Sequence, residues 1–196
     1  VWAALDTGLA LIHRGSRYTL LTGPMGMVYD VFDTSAGMYV ATNQNTLLYD
    51  GSGFMAVEGT QGQNWHISRF GRQIVVGNNH GTRIIDATRS YALPGSGEAS
   101  STALRRYNVG EDNDYLVEAS YSELRIYRNV DGRWVFRNNV AGFMGPVRQL
   151  EIDSHGVVWA TNMNKGCYRI ELTADLRRVA RMRYYPTLDP EGGGVQ

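Results

Sequence analysis

The chain has 196 residues, of which 43% are hydrophobic and 11% are aromatic. This is enough apolar material for a packed core of ordinary size. Lysine plus arginine number 19 and aspartate plus glutamate number 19, so the formal net charge is zero. Because there is no basic excess to neutralise phosphates, we expect this region to bind no nucleic acid directly. The sequence contains no apolar run of about 18 residues or more, so any membrane anchor would belong to other segments.

A repeated unit runs through the whole chain: an apolar strand, a short polar turn and a second, alternating strand. Five copies are present, and their first residues are 35 to 43 positions apart. This spacing is typical of a four-stranded propeller blade, which takes roughly 40 to 50 residues. No segment shows a sustained helical periodicity, so the pattern predicts an all-β protein. The copies begin at Trp2, Tyr39, Ile74, Leu116 and Trp159.

Each copy is flanked by two further strand-like runs, which completes a blade of four antiparallel strands. We name these strands a, b, c and d from the hub of the propeller outward. In the earlier repeats the pattern predicts strand a over residues 28–32, 65–70 and 103–107. In the last repeat it predicts strand a over residues 147–152, strand b over 157–161, strand c over 167–172 and strand d over 179–185.

The predicted organisation is a single partial propeller over residues 1–196. The first repeat begins directly on strand b, and the segment after Pro186 has the composition of a loop that leads to another strand a. These features predict a β-propeller fragment of about four to five blades, with both ends inside a blade. The alternative is a closed five-bladed ring in which the tail supplies the missing first strand. The predicted blades span residues 1–24, 25–60, 61–95, 96–140 and 141–188, and residues 189–196 form the tail.

The last repeat carries the most specific motif. Asp153 and Gly156 form a turn that leads through Trp159 into an Ala-Thr strand, and Gly166 opens the next alternating strand. This segment resembles the two-component regulator propeller repeat, in which an Asp-x-x-Gly turn leads into an apolar-Trp-apolar-Gly-Thr strand and then Gly-Leu. Two other segments are similar to that repeat, namely Trp2 with Gly8-Leu9 and residues 37–42.

The repeats at Ile74 and Leu116 depart from this motif because they have no tryptophan and no Gly-Thr pair. Other propeller families therefore stay open for the chain as a whole. A WD repeat is disfavoured because the four tryptophans are followed by alanine, histidine, valine and alanine rather than by aspartate. The sialidase Asp box is disfavoured too, because Trp159 lies one residue too far from Asp153.

The resemblance implies the periplasmic sensor region of a bacterial membrane-spanning regulator, often a hybrid histidine kinase of a two-component system. In such a regulator the propeller senses a small-molecule or oligosaccharide ligand without turning it over, and no cofactor is expected. It would reach the membrane only through segments outside this sequence, and a homodimer of the full-length protein is compatible with it. Two alternatives stay open: a propeller enzyme acting on glycans, such as a glycosidase or lyase, and a scaffold that binds another protein.

The ionisable side chains form no recognisable catalytic or metal-binding motif. The histidines lie in different repeats without metal-ligand spacing, and Cys167 has no partner cysteine. Asp33 and Asp153 lie at predicted a-to-b turns, where an aspartate usually caps the turn. We therefore assign no catalytic residue, no metal ligand and no cofactor. The four histidines are His13, His66, His80 and His155.

The best candidates for ligand contact are the predicted b-to-c turns, which gather around the hub on one face of a propeller. Amides and hydroxyls suit the hydroxyl groups of sugars, and aromatic rings cover the apolar faces of sugars. The alternative explanation is local, because asparagine, glycine and serine are also the residues that hairpin turns require. The predicted ligand-binding residues are Asn43, Asn45, Asn78, Asn79, His80, Tyr121, Asn162, Asn164 and Lys165.

Overall fold

The structure, a computed structural model, describes residues 2–5, 8–11, 20–97, 99–107 and 114–186. Within these ranges the regular structure consists of eighteen β-strands, without a helix. The described part of the chain accordingly offers no helix with the length and apolar character needed to cross a membrane. The prediction of an all-β protein is confirmed.

The strands form one two-stranded pair and four four-stranded sheets, and every pairing inside these sheets is antiparallel. Blade 1 contains β1 (Trp2–Leu5) and β2 (Gly8–Leu11). Blade 2 contains β3 (Val28–Thr34), β4 (Gly37–Thr42), β5 (Thr46–Tyr49) and β6 (Phe54–Ala56). Blade 3 contains β7 (Asn64–Phe70), β8 (Gln73–Asn78), β9 (Gly81–Asp86) and β10 (Arg89–Ala92). Blade 4 contains β11 (Ala103–Tyr107), β12 (Tyr115–Ala119), β13 (Leu124–Val130) and β14 (Arg133–Asn139). Blade 5 contains β15 (Val147–Ile152), β16 (Val158–Asn162), β17 (Cys167–Leu172) and β18 (Val179–Tyr185).

Consecutive sheets pack side by side around a hub that is formed by strand a of each blade. Strand β3 contacts β7, β7 contacts β11, and β11 contacts β15. Inside each sheet the strands follow one another in chain order from the hub outward. This is the arrangement of a β-propeller, so the predicted fold class is confirmed.

The predicted strands agree with the observed ones to within two residues at each end. In blade 5, β15, β17 and β18 have the predicted bounds, and β16 begins and ends one residue later than predicted. The four sheets lie inside the spans predicted for their blades, but the limits of the blades themselves stay a prediction. His13 and the predicted tail, residues 189–196, lie outside the described residues.

Three apolar cores join the four complete sheets, one between each pair of neighbours. The core between blades 3 and 4 joins Val75 of blade 3 to Leu116, Tyr127 and Trp134 of blade 4. Because each middle strand packs against other chain segments on both faces, its residues are apolar in runs rather than in alternation. Leu116 and Val117, which are adjacent in β12, are both fully buried.

A polar network crosses the same interface. The carboxylate of Glu118 in β12 is fully buried and accepts hydrogen bonds from Tyr127 Oη at 2.7 Å and from Arg125 Nη1 at 3.2 Å. The hydroxyl of Thr82, which belongs to blade 3, also donates to this carboxylate and lies 2.7 Å from Ser101 Oγ. A buried carboxylate without such donors is strongly destabilising. The network therefore specifies how the two sheets meet.

Gly77 in β8 marks a close approach between blades 3 and 4. A Cβ atom at this position would overlap the His66 ring and the carbonyl oxygen of Ser101, which is backbone and cannot swing away. We expect Gly77→Ala to lower the free energy of unfolding by about 1–3 kcal/mol through overpacking. Urea denaturation measures this change.

The matched control is Gly53→Ala, because a Cβ atom on Gly53 would meet nothing within 4 Å. We expect this substitution to change the free energy of unfolding by less than about 0.5 kcal/mol. Equal stability of the two variants would contradict the close packing of blades 3 and 4 at Gly77.

His66 in β7 is buried at this interface as an uncharged ring. Its Nε2 lies 3.3 Å from Ser101 Oγ, and its Nδ1 has no hydrogen-bond partner in the described part of the chain. Burial, together with the positive charge of Arg105, lowers the pKa of His66 from 6.5 to about 3. The imidazole is therefore neutral in the folded protein at neutral pH, and acid opposes the folded state.

This depressed pKa predicts a pH dependence of stability. The unfolded chain takes up the proton first, so the stabilisation is complete above about pH 6.5 and is lost as the pH falls toward about 3. The largest slope attributable to this group is about 1.4 kcal/mol per pH unit. We expect His66→Gln to reduce the slope of unfolding free energy against pH in this window, measured by urea denaturation.

The exposed histidine of the neighbouring turn provides the control for this measurement. His80→Gln removes an imidazole from an exposed position and therefore controls for the loss of a histidine outside this interface. If His66→Gln kept the slope of the unmodified protein, a neutral buried ring at this position would be ruled out.

Candidate ligand-binding site on the hub face

The b-to-c turns lie beside the entrance to strand a of the same blade. In three blades a backbone N–H of the turn donates to a carbonyl oxygen just before or at the start of strand a. Turns and strand entrances therefore share one side of the propeller at its centre, which we call the hub face. The bonded pairs are Asn43 with Met27 at 3.0 Å, Asn79 with Gln63 at 2.9 Å and Met163 with Pro146 at 3.2 Å.

Asn78, one of the predicted site residues, uses its side chain inside the protein. It is 1% exposed, and its Nδ2 donates to the carbonyl oxygens of Thr60 and Gln61 and to Asn64 Oδ1 at 3.1–3.2 Å. Its Oδ1 accepts the backbone N–H of His80 at 2.8 Å. The Asn78 amide thus joins blades 2 and 3 and closes its own turn.

Asn43 and Asn162 also hold their turns, although both are half-buried rather than buried. Asn43 Oδ1 accepts the backbone N–H of Met27 at 2.9 Å. Asn162 Oδ1 accepts the backbone N–H of Asn164 at 2.9 Å. The Asn162 bond is the one expected from the local explanation, in which the side chain stabilises its own turn. The Asn43 bond instead joins its turn to the entrance of strand a.

The remaining polar residues of the turns differ in their access to solvent. Asn45 Oδ1 and Asn79 Oδ1 are buried and have no hydrogen-bond partner in the described ranges. His80, Asn164 and Lys165 are exposed. Ligand contact by any of these five residues stays a prediction.

A β-bulge interrupts strand a at the same place in three blades. The register shifts by one residue between Val28 and Asp30, between Asn64 and His66, and between Val147 and Gln149. A bulge redirects the side chain of the extra residue and commonly occurs beside functional sites. The three extra residues are Tyr29, Trp65 and Arg148.

Two of these extra residues form an aromatic group with Tyr121, the predicted site residue of blade 4. The ring centroids of Tyr29 and Trp65 are 4.9 Å apart, and those of Trp65 and Tyr121 are 6.2 Å apart with the rings nearly perpendicular. Trp65 Nε1 is buried without a hydrogen-bond partner in the described part of the chain. Tyr121 is 42% exposed, so the group presents an accessible aromatic surface.

Arg148, the third extra residue, stands beside this group. The backbone just before it is bonded to the Tyr121 turn, since the N–H of Val147 donates to the Ser120 carbonyl at 3.0 Å. Burial and the neighbouring Tyr29 raise the pKa of Tyr121, while the charge of Arg148 opposes that rise. We call Tyr29, Trp65, Tyr121 and Arg148 the hub cluster.

The residue types of the hub cluster suit the binding of a ligand. Its aromatic faces can cover the apolar face of a ring, and Arg148 offers a positive charge and hydrogen-bond donors. Among the described residues, no group of three or more histidines, cysteines or carboxylates could hold a metal ion. The site is shared by blades 2, 3, 4 and 5, so a ligand there would contact several blades at once.

Sequence reasoning located Tyr121 but missed the other three members of the cluster. A weak signal was present, because Tyr29, Trp65 and Arg148 are large residues at the first or second position of the predicted strand a runs, and each is second in the observed strand. Aligning these runs shows a large side chain at the same place in three repeats. What the alignment does not show is the bulge, because a bulge is defined by pairing with the neighbouring strand.

No family model matches the chain. No curated protein matches it either. Solved structures are similar to it in fold. The WD40 β-propeller domain of Doa1 is 10% identical, with a TM-score of 0.59 over 87% of this chain and 57% of that one. Kuenenia stuttgartiensis hydrazine synthase is 11% identical, with a TM-score of 0.57 over 87% of this chain and 53% of that one.

Two structures of an extracellular domain from B. thetaiotaomicron are also similar. One, described as part of a hybrid two-component system, is 13% identical with a TM-score of 0.55 over 81% of this chain and 22% of that one. The other, described as part of a one-component system, is 16% identical with a TM-score of 0.56 over 92% and 29%. The chain thus spans between about a fifth and three fifths of these four structures. At such identities the likeness shows the propeller fold.

Proposed function

We propose that this chain is the sensing propeller of a membrane-spanning bacterial regulator and that its hub face binds an oligosaccharide outside the cytoplasm. The observation that carries the proposal is the hub cluster, in which aromatic residues from three blades lie around an accessible surface. Aromatic side chains accompanied by a few polar groups are common in sites that bind small ligands. The resemblance of the last repeat to the two-component regulator propeller repeat supports the same assignment.

The similarity to a B. thetaiotaomicron extracellular domain supports the proposed location and class. That domain is described as part of a hybrid two-component system or of a one-component system, and it matches 81–92% of this chain. Both descriptions are of an extracellular domain. A periplasmic propeller connected to a histidine kinase in the full-length protein is the corresponding arrangement here.

Binding at the hub cluster would connect ligand contact to the relative positions of the blades. Tyr29 belongs to blade 2, Trp65 to blade 3 and Tyr121 to blade 4. A ligand that touches all three favours the blade arrangement in which the three contacts coincide. A ligand changes a conformational equilibrium only by such a difference in affinity between states.

The proposal predicts that Tyr121 contributes to affinity while a similarly exposed tyrosine elsewhere does not. Once an array of oligosaccharides has identified a bound glycan, titration calorimetry should show that Tyr121→Ala weakens its binding by about tenfold to a hundredfold. The control is Tyr91→Ala, which changes a 52% exposed tyrosine on β10, away from the hub face. We expect its affinity to equal that of the unmodified protein.

Trp65→Ala should weaken binding at least as much, because Trp65 contacts both tyrosines of the cluster. If neither substitution changed the affinity for a glycan that the protein binds, the hub cluster would not be the binding site. Release of shortened glycan products by the complete sensor region would instead favour the enzyme alternative.

A second candidate function, protein binding, is favoured by a groove that contains none of the hub cluster residues. This groove has a volume of about 480 Å³ and is lined by residues of blades 3 and 4. Tyr91 and Val135 in its lining are 52% and 44% exposed. Exposed apolar surface of this kind is typical of interaction sites, so Tyr91→Ala also tests whether a protein partner binds there.

A further inference from the structure

We infer that the oligosaccharide bound at the hub cluster is anionic, with its carboxylate or sulfate group held by Arg148 while a sugar ring lies against Trp65 and Tyr121. This inference rests on the proposed function and names the chemical class of its ligand. It depends on the position of Arg148 in the fold. It also depends on whether the neighbouring charged side chains already have partners within the protein.

The bulge in β15 places Arg148 where blades 2 and 3 place their aromatic residues. Tyr29, Trp65 and Arg148 are the extra residues of equivalent bulges, so one blade presents a cation to the site that the other two line with rings. Backbone hydrogen bonds from Gly145 to Ser122 at 3.2 Å and from Val147 to Ser120 at 3.0 Å hold this segment against the Tyr121 turn.

Arg148 is exposed and forms no ion pair with any of the described residues. Other arginines near the hub are neutralised: Arg105 contacts Glu151 at 2.8 Å, and Arg106 contacts Asp114 at 3.3 Å. The guanidinium of Arg148 therefore has its hydrogen-bonding edge available for a ligand.

The carboxylates closest to the cluster in sequence are already engaged. Asp30 follows Tyr29, and its two oxygens accept the backbone N–H groups of Ile67 and Val31 at 2.9 Å. Glu123 ends the Tyr121 turn and binds Arg125 at 2.6 Å. These bonds hold both carboxylates in place, so neither is free to move toward Arg148.

A second cation lies on the same blade. Lys165 is exposed on the b-to-c turn of blade 5, and the Tyr184 hydroxyl donates to its carbonyl oxygen at 2.8 Å. This turn is bonded to the entrance of strand a through Met163 and Pro146. Blade 5 therefore brings two positive charges to the hub face, which suits a ligand with more than one negative charge.

The guanidinium group matches the proposed ligand in shape as well as charge. Its planar donors bind the two oxygens of a carboxylate or sulfate side by side, and such charged hydrogen bonds are stronger than neutral ones. Rings beside the pair exclude water from one side and raise its electrostatic strength above that of a fully exposed ion pair. A neutral sugar hydroxyl can accept one hydrogen bond from Arg148, but it lacks the paired oxygens and the negative charge.

The test uses three defined trisaccharides and titration calorimetry with the whole chain. The probes are a galacturonic acid trisaccharide, the neutral galactose trisaccharide obtained by reducing its carboxyl groups, and a sulfated galactose trisaccharide. We expect at least one anionic probe to bind about tenfold more tightly than the neutral one. A preference for the carboxylated or for the sulfated probe identifies the anionic group.

Variants connect the preference to Arg148. Arg148→Gln should abolish the preference for the anionic probe, while Arg181→Gln, at an exposed arginine on the outer strand β18, should retain it. Raising the salt concentration should reduce the preference in the unmodified protein, because screening weakens exposed ion pairs.

The outcomes separate this inference from the proposed function. Equal binding of the neutral and anionic probes, with loss of both in Tyr121→Ala, would overturn the anionic ligand and leave a sensor of neutral glycans. A preference for the anionic probes that survives in Arg148→Gln would overturn the role of Arg148. If an oligosaccharide array with neutral and anionic members shows no binding at all, the proposed function is overturned as well.

Discussion

Burial of apolar surface between consecutive sheets is the interaction on which the rest of this structure depends. A single four-stranded blade has two faces that need covering, and its strands are only three to seven residues long. Such a unit cannot bury a core alone, and it becomes stable by stacking against its neighbours, as in other repeat architectures. The middle strands therefore contain adjacent apolar residues that are both buried, one on each face of the sheet. Examples are Val75-Val76 in β8 and Leu116-Val117 in β12.

Polar residues determine how the apolar faces meet. Glu118 of blade 4 receives donors from its own blade and from Thr82 of blade 3, and Asn64 and Asn78 bind carbonyl oxygens at the boundary with blade 2. Apolar contact is not directional, whereas a buried polar group is costly unless its partners are correctly placed. These networks therefore favour one relative position of the sheets. The hub cluster depends on this alignment, because its four residues come from four different blades and lie close together only when those blades are correctly positioned.

The sequence predicted most of the fold but only part of the candidate ligand-binding site. Strand β15 could be predicted to the residue, because alternating apolar positions and the Asp153–Gly156 turn are local features. The turn itself is built as its residues suggest: Asp153 accepts N–H groups from His155 and Val157 and from the Trp159 indole. The sequence also located the asparagines at the turns. It did not show that the Asn78 amide is buried and hydrogen-bonded between blades, whereas Asn164 is exposed. That difference depends on residues of another blade.

The sequence by itself determined that this protein is all-β, that it is built of units of about forty residues, and that polar turns recur between strands b and c. These properties follow from periodicity, turn chemistry and spacing along the chain. Only the tertiary structure decided that Tyr29, Trp65, Tyr121 and Arg148 share one surface. The reason is physical: a bulge exists only in the pairing of two strands, and the meeting of four side chains from four blades exists only once those blades are packed around a common hub.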